Sequence, residues 1–275
     1  MAKIFEGISN ADYHSRPEIS NSDLSMISRD CHLMQWKRHC PTDPAKLKTL
    51  DFGSAVHTKL LEPHLFDSEY AIMPKFDGRT KQGKADKEAW LMANKGKTYL
   101  TTDEKFKIDL MYDSVMSHPV ARSLIEAEGL VEPSIFWQDA ETGIQCRCRP
   151  DKIITGGPLV DVKTTEKLAD FKYSVEDYRY FVQAAYYQDG CKAAGIDCGT
   201  MQFLVVGKTI ELGRYPVMVV TLPYELVEYG RMTYQYDLHK WAKFLADDKP
   251  LTVNELTIHN SLWSKIEDAQ LEAIQ

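Results

Sequence analysis

The chain has 275 residues, a formal net charge of −7, 44% hydrophobic and 27% charged residues. That length supports one large domain or two small ones with a substantial core, and the composition excludes a disordered or fibrous chain. The acidic balance excludes a uniformly basic nucleic-acid coat but not a local basic groove. No apolar run is long enough for a membrane span and the N-terminus reads as lacking a signal-peptide core, so a cytosolic protein with no membrane partner is expected.

In chain order, Ser20-Asn21-Ser22-Asp23-Leu24 opens the first convincing helix, because serine and asparagine cap well and apolar Leu24, Ile27, Met34 and Trp36 follow. A second helix is expected over Phe52 to Leu61, carrying His57, and residues 63–80 look loop-rich. Residues 75–97 hold seven Lys or Arg against three acids and are interrupted by Gly78, Gly83 and Gly96. They read first as a solvated, flexible surface segment; the alternative is a phosphate-contacting arm using Lys81, Lys84 and Lys87.

Thr101 and Glu104 form a capping-box pattern, predicting a helix to about Ser117 and a shorter one over residues 120–127. The period then changes. Ser134 to Trp137 and Ile144 to Cys148 read as strands around the turn 139–143, Gly156-Gly157-Pro158 makes another turn, and Leu159 to Lys163 is the next strand. A helix from about Val175 to Ala194 places Gln183 and Tyr187 on one face. Met201 to Val206 and Tyr215 to Leu222 are apolar strands, Tyr224 to Ala246 is a long final helix, and the chain after Pro250 is weakly patterned. We expect an α/β fold with a helical N-terminal part over about 1–128, a core over about 129–250 and a tail over about 251–275, all in one domain. Of the six cysteines, Cys146 and Cys148 share a strand face, no Cys-x-x-Cys occurs, and buried reduced thiols are the first reading; an iron–sulfur site is the sharper one.

The chemistry concentrates in Arg149-Pro150-Asp151 and Asp161-Val162-Lys163. An Asp-x-Lys on a strand points both side chains to one face. Two carboxylates can hold a hard divalent cation, and an ammonium can orient water or neutralise developing charge. By itself an Asp-x-Lys is common; its weight comes from Asp151, which we place leaving one strand beside it. Arg147 and Arg149 could face solvent, pair with acids or contact phosphates. The tyrosines and Phe181 between 178 and 187 read mainly as core packing rather than a base-stacking platform.

Taken together, His57, Asp151, Asp161-x-Lys163 and Gln183-x-x-x-Tyr187 resemble the PD-(D/E)xK nucleases of the RecB-like branch. Ser20-Asn21-Ser22-Asp23-Leu24 and Gly53-Ser54-Ala55-Val56-His57 match that branch's N-terminal elements. Lys48 to Gly53, Cys146 to Ile154, Asp161 to Thr165 and Asp177 to Gln183 are similar to the nuclease domain of the RecE-like exonucleases (exonuclease VIII), over a span from about Gly7 to at least Pro216. The long extension of that family is not seen, so the chain looks like the nuclease domain alone.

The resemblance implies a restriction-endonuclease-like core with a mixed sheet flanked by helices. It implies a Mg²⁺-dependent exonuclease (Mn²⁺ also suits a nitrogen ligand) that uses two ions per site and degrades linear double-stranded DNA from its 5′ ends. A phage-type recombination role, a RecT-like annealing partner and a ring-shaped homo-oligomer in a bacterial cytosol come with it. His57, Asp151, Asp161, the Val162 carbonyl and, more weakly, Glu132 would ligate metal. Lys163 would orient water or stabilise charge, since a base role needs a depressed pKa. Gln183 would hold a DNA phosphate or order the lysine, with Tyr187 in support. The competing expectations are a structure-specific endonuclease on the same fold and a non-catalytic DNA-binding scaffold, and the intact acids and lysine speak against the latter.

Overall fold

A computed structural model describes residues 2–37 and 44–247. The chain opens with strand β1 (Lys3–Phe5) and helices α1 (Asn10–Ser15), α2 (Asn21–Arg29), α3 (Cys31–Lys37) and α4 (Pro44–Leu61). After α5 (Phe66–Glu69), strands β2 (Tyr70–Met73) and β3 (Thr98–Thr101) flank helix α6 (Lys81–Ala93). Helices α7 (Thr102–Ser117) and α8 (Pro119–Glu126) lead into β4 (Gly129–Val131), β5 (Ser134–Gln138), β6 (Gln145–Cys148), β7 (Lys152–Ile154) and β8 (Leu159–Thr165). Helices α9 (Phe171–Asp177) and α10 (Tyr180–Ala193) connect to β9 (Met201–Gly207), β10 (Val217–Thr221) and α11 (Tyr224–Ala246). Met1–Ala242 forms one compact unit; of a second, Lys243–Gln275, only residues 243–247 are described, so the expected tail lies outside the described residues.

The central sheet has five strands in the order β10-β9-β8-β7-β4. β8 and β9 run parallel, joined through α9 and α10, while the other pairs are antiparallel. This is the mixed sheet flanked by helices that the resemblance implies. Alternation along β8 divides its side chains: Val160 and Val162 enter a core with Ala55, Val56 and Leu60 of α4, Ile108, Met111 and Val115 of α7, and Ala121 and Leu124 of α8. Asp161 and Lys163 therefore point to the opposite face.

Several expectations change. The first helix breaks at Asp30 into α2 and α3, and Trp36 is 64% exposed rather than part of an apolar face. Residues 75–97 are not a flexible loop: Thr80 caps α6 by accepting from the Gly83 N–H, and α6 links the parallel pair β2 and β3. The helix expected from Val175 splits at Arg179, a non-glycine residue with φ 54°. Its guanidinium donates to the Leu24 carbonyl at 3.2 Å and to Asp237 at 2.5 Å, which fixes the direction of α10. The expected meander is also two sheets: β6 pairs with β5 in a three-stranded sheet, whereas β7 pairs with β8. The strands over 134–137 and 144–148, the Thr101 capping box and the helix from Tyr224 to Ala246 stand as read. Cys31, Cys146, Cys148 and Cys191 are buried free thiols, and among the described residues no cluster fits an iron–sulfur site.

Candidate active site

The site forms where β6 leaves one sheet and β7 starts in another. Pro150 stands at this step and has no N–H for a ladder. β7 pairs with β8 only at Lys152↔Val160 and Ile153↔Leu159, so β8 beyond Asp161 has an open edge on that side. The Asp151 carboxylate fills the first gap by accepting the Val162 N–H at 2.6 Å. In an extended strand a residue's N–H and C=O face the same edge, so the Val162 carbonyl also faces this opening. A side chain here replaces a strand, and the same break in the ladder leaves the Val162 carbonyl without a strand partner on that edge.

Asp161 is almost fully buried, with Gln183 of α10 donating to its Oδ1 at 2.6 Å and Lys163 Nζ 2.6 Å from its Oδ2. That second oxygen has no aligned hydrogen-bond donor, so it meets the ammonium as an ion pair and keeps capacity for another partner. Lys163 Nζ also lies 4.6 Å from the centre of the Tyr180 ring, a cation–π contact. Tyr180 and Gln183 sit three apart on α10 and so share a face. His57 reaches in from α4, its Nδ1 3.3 Å from Asp151 Oδ2.

The electrostatics follow from two buried carboxylates in one place. Burial, then the Asp161 charge, push the Asp151 carboxyl well above the usual carboxylate range, against the pull of Lys163 and the Val162 N–H. Burial works against the Lys163 ammonium, but Asp161, Tyr180 and Asp151 outweigh it and hold the lysine above its ordinary value. The upward shift favours the ammonium form in the arrangement of these side chains alone. Burial, with Lys163, lowers the His57 pKa although Asp161, Glu132 and the Val162 main chain oppose it, a shift toward the neutral imidazole that ligation requires.

The donors fit a hard divalent cation. Among the described residues no three His, Cys, Asp or Glu side chains are gathered tightly enough to ligate alone. The set is two carboxylates and a main-chain carbonyl with a neutral imidazole beside them, which leaves positions for water, as Mg²⁺ prefers. A cation would also offset the like charges that now raise Asp151.

Glu132 stands at the turn after β4 with φ 46°, its N–H donating to the Asp151 carbonyl at 2.9 Å. Burial, then Asp151 and Glu62, raise its pKa, so it borders the site. Glu62, just past α4, was not anticipated; nothing in its spacing from His57 marks it, since the helix ends at Leu61. Tyr187 is half-buried one turn after Gln183, and burial, then Tyr13 and Asp161, push its pKa up. It stands with Gln183 in the wall of the site. Gln183 itself orders Asp161 directly and Lys163 only through it.

Two expected DNA contacts are corrected. Arg147 is 3% exposed, donates to the Tyr13 carbonyl and lies 3.7 Å from Asp23. Arg149 donates to Ser134, Asn10 and the Ile8 carbonyl and packs over the Tyr13 ring at 4.0 Å. Arg149 also lies 4.0 Å from Glu132, so both arginines hold the N-terminal segment and take the acid-pairing alternative of the sequence reading. Lys81, Lys84 and Lys87 are exposed on α6. Besides Glu62, the residue missed is Tyr180, legible only as the position three before Gln183.

Residues 29–248 match the family model described as PDDEXK-like domain of unknown function (DUF3799). The chain belongs to this PDDEXK-like family. It thereby falls in the PD-(D/E)xK nuclease superfamily, whose members generally use divalent metal ions. Among solved structures, a crystal structure from Eubacterium rectale named a "putative exonuclease" superposes with a TM-score of 0.59 at 12% identity, covering 93% of this chain and 97% of that one. At that identity the likeness is one of fold. No curated protein matches the chain. Among the described residues no helix is long and apolar enough to cross a membrane.

Proposed function

We propose that this PDDEXK-family chain is a Mg²⁺-dependent exodeoxyribonuclease that degrades linear double-stranded DNA in the 5′→3′ direction. In this reading it leaves 3′ single strands for RecE-type recombination, works as a ring-shaped oligomer and hands its product to a RecT-like annealing protein. The observation that carries the reading is the convergence of Asp151, Asp161, Lys163, His57 and Gln183 on the open edge of β8. Direction, ring and partner rest on the family resemblance of the motifs.

A divalent ion held by Asp151, Asp161 and the Val162 carbonyl, with His57 beside it, would polarise the phosphodiester and raise the acidity of water. Lys163, aimed by Asp161 and Tyr180, stabilises as an ammonium the charge that grows on phosphate oxygen as water attacks phosphorus. The attacking water gives its proton to bulk water, the bond to the leaving oxygen breaks, and that oxygen takes a proton from bulk water. Gln183 holds Asp161 in one rotamer so that this geometry is set before substrate arrives. Glu132 is the residue we would assign to a second ion, because its carboxyl feels the Asp151 charge.

The polarity is tested with 5′-labelled linear, 3′-labelled linear and covalently closed circular DNA in parallel. Early release of the 5′ label with the circle intact is the expected result. Cutting of the circle would favour an endonuclease, and early release of the 3′ label would reverse the direction.

A further inference from the structure

Beyond the catalytic residues, β8 continues into a cavity of about 400 Å³ lined by Thr164, Thr165, Lys167, Tyr178, Tyr180 and Lys208, among others. Its size lies within the roughly 300–1,000 Å³ of small-ligand sites and suits a nucleotide, not a duplex. Asp161, Lys163 and Thr165 alternate onto one face of β8, so that face runs from the carboxylates into the cavity. Tyr180 is the shared wall, its ring touching Lys163 and also lining the cavity.

That ring belongs to a stack. Tyr180 lies 5.5 Å from Phe203 with planes 28° apart and 5.7 Å from Phe171 at 28°. Tyr178 continues it at 5.7 Å and 25°, and is 64% exposed at the outer end. A rigid aromatic series anchored in the core and ending in solvent offers a π-face with little ordering cost. Two lysines border it: Lys167 is exposed, and Lys208 is tied by its N–H to the Thr165 carbonyl at 2.7 Å and by Nζ to Glu166 at 3.0 Å.

We propose that this cavity is a nucleobase subsite: it takes, out of its pair, the base of a nucleotide adjoining the scissile phosphate, stacked on Tyr178, with Lys167 and Lys208 beside that nucleotide's phosphate. The inference rests on the nuclease reading above and adds how the strand end is held. Stacking on an aromatic face is tolerant of base identity and repays the fraying of a terminal pair. Thr164, Ser174 and Asp170 supply hydrogen-bonding groups without matching any one base. The aromatic segment is thus part core and part platform, with Tyr178 the platform.

The test is binding of end-labelled duplexes in Ca²⁺, with an abasic nucleotide walked through the first four positions from the 5′ end. For the wild type, one position should lose about 5- to 150-fold in affinity, the range of one base–aromatic stack. That loss should vanish in Tyr178→Ala, which binds intact DNA correspondingly worse, and persist in Tyr178→Phe. Tyr178→Leu, which still covers Tyr180, replaces the alanine variant if that one fails to fold. An abasic walk without cost, or one with equal cost in wild type and Tyr178→Ala, would overturn the subsite. DNA bound and cut without this coupling overturns the subsite alone, whereas DNA neither bound nor cut overturns the nuclease reading with it.

Discussion

The bond from Gln183 to Asp161 is short, buried and charge-assisted, which makes its removal informative. Gln183→Ala leaves a buried carboxylate oxygen without its donor. A hydrogen bond to a charged group contributes roughly 1.5–3 kcal/mol net. At roughly 2–4 °C per kcal/mol for a unit of this size, the variant should melt about 3–12 °C lower in EDTA. Function should suffer independently, because loss of a hydrogen bond that orients a metal-binding carboxylate typically costs about 10–100-fold in metal affinity or turnover. Thermal unfolding by circular dichroism, calorimetric titration with Mn²⁺ and turnover on linear duplex DNA measure the three quantities. A raised KM for DNA with unchanged metal affinity would mean that Gln183 meets a phosphate instead. Wild-type melting and wild-type turnover together would refute the positioning role.

Three further expectations test other parts of the account. Asp151→Asn keeps an acceptor for the Val162 N–H and removes a like charge from beside Asp161, so it should melt higher than wild type in EDTA while losing metal affinity and activity; a lower melting point would show that the two carboxylates do not oppose each other. Gly230 of α11 lets that helix approach the start of α10: an added Cβ would fall 2.6 Å from the Phe181 carbonyl carbon, so Gly230→Ala should cost about 1–3 kcal/mol in denaturant unfolding, and an unchanged midpoint would contradict that packing. Exposed Lys81, Lys84 and Lys87 bear on DNA only if α6 grips phosphates; their joint neutralisation should then lower the slope of log affinity against log salt by up to about 3, and an unchanged slope would return α6 to plain surface.

Much of the fold was legible where local signals act alone. The Thr101 and Glu104 pair announces α7, a short apolar run announces β5, and period-two alternation announces β6 and β8. The final helix follows from its length and periodicity. What was not legible depends on distant partners. Arg179 breaks a helix without Gly or Pro because Leu24 and Asp237 hold its side chain. Arg147 and Arg149 leave solvent, acid and phosphate partners all open in the sequence, and only the tertiary structure puts Tyr13 against them. The site was legible in its acids, lysine, histidine and glutamine because their order and spacing resemble a known motif set. Its supporting contacts were not: that Asp151 replaces a missing strand at Val162, and that Tyr180 backs Lys163, are consequences of how two sheets part.

The central claim is that Asp161 and Lys163, on one face of β8, cut DNA with a divalent cation. It is tested most directly by following a linear duplex and a closed circle with wild type, Asp161→Asn and Lys163→Ala, in Mg²⁺ and in EDTA. Wild type should consume the linear duplex in Mg²⁺ alone and leave the circle intact, and turnover should fall at least about 10²-fold in each folded variant, the scale set by removing one group that stabilises the transition state. Wild-type turnover by either folded variant, or digestion that continues in EDTA, would contradict it.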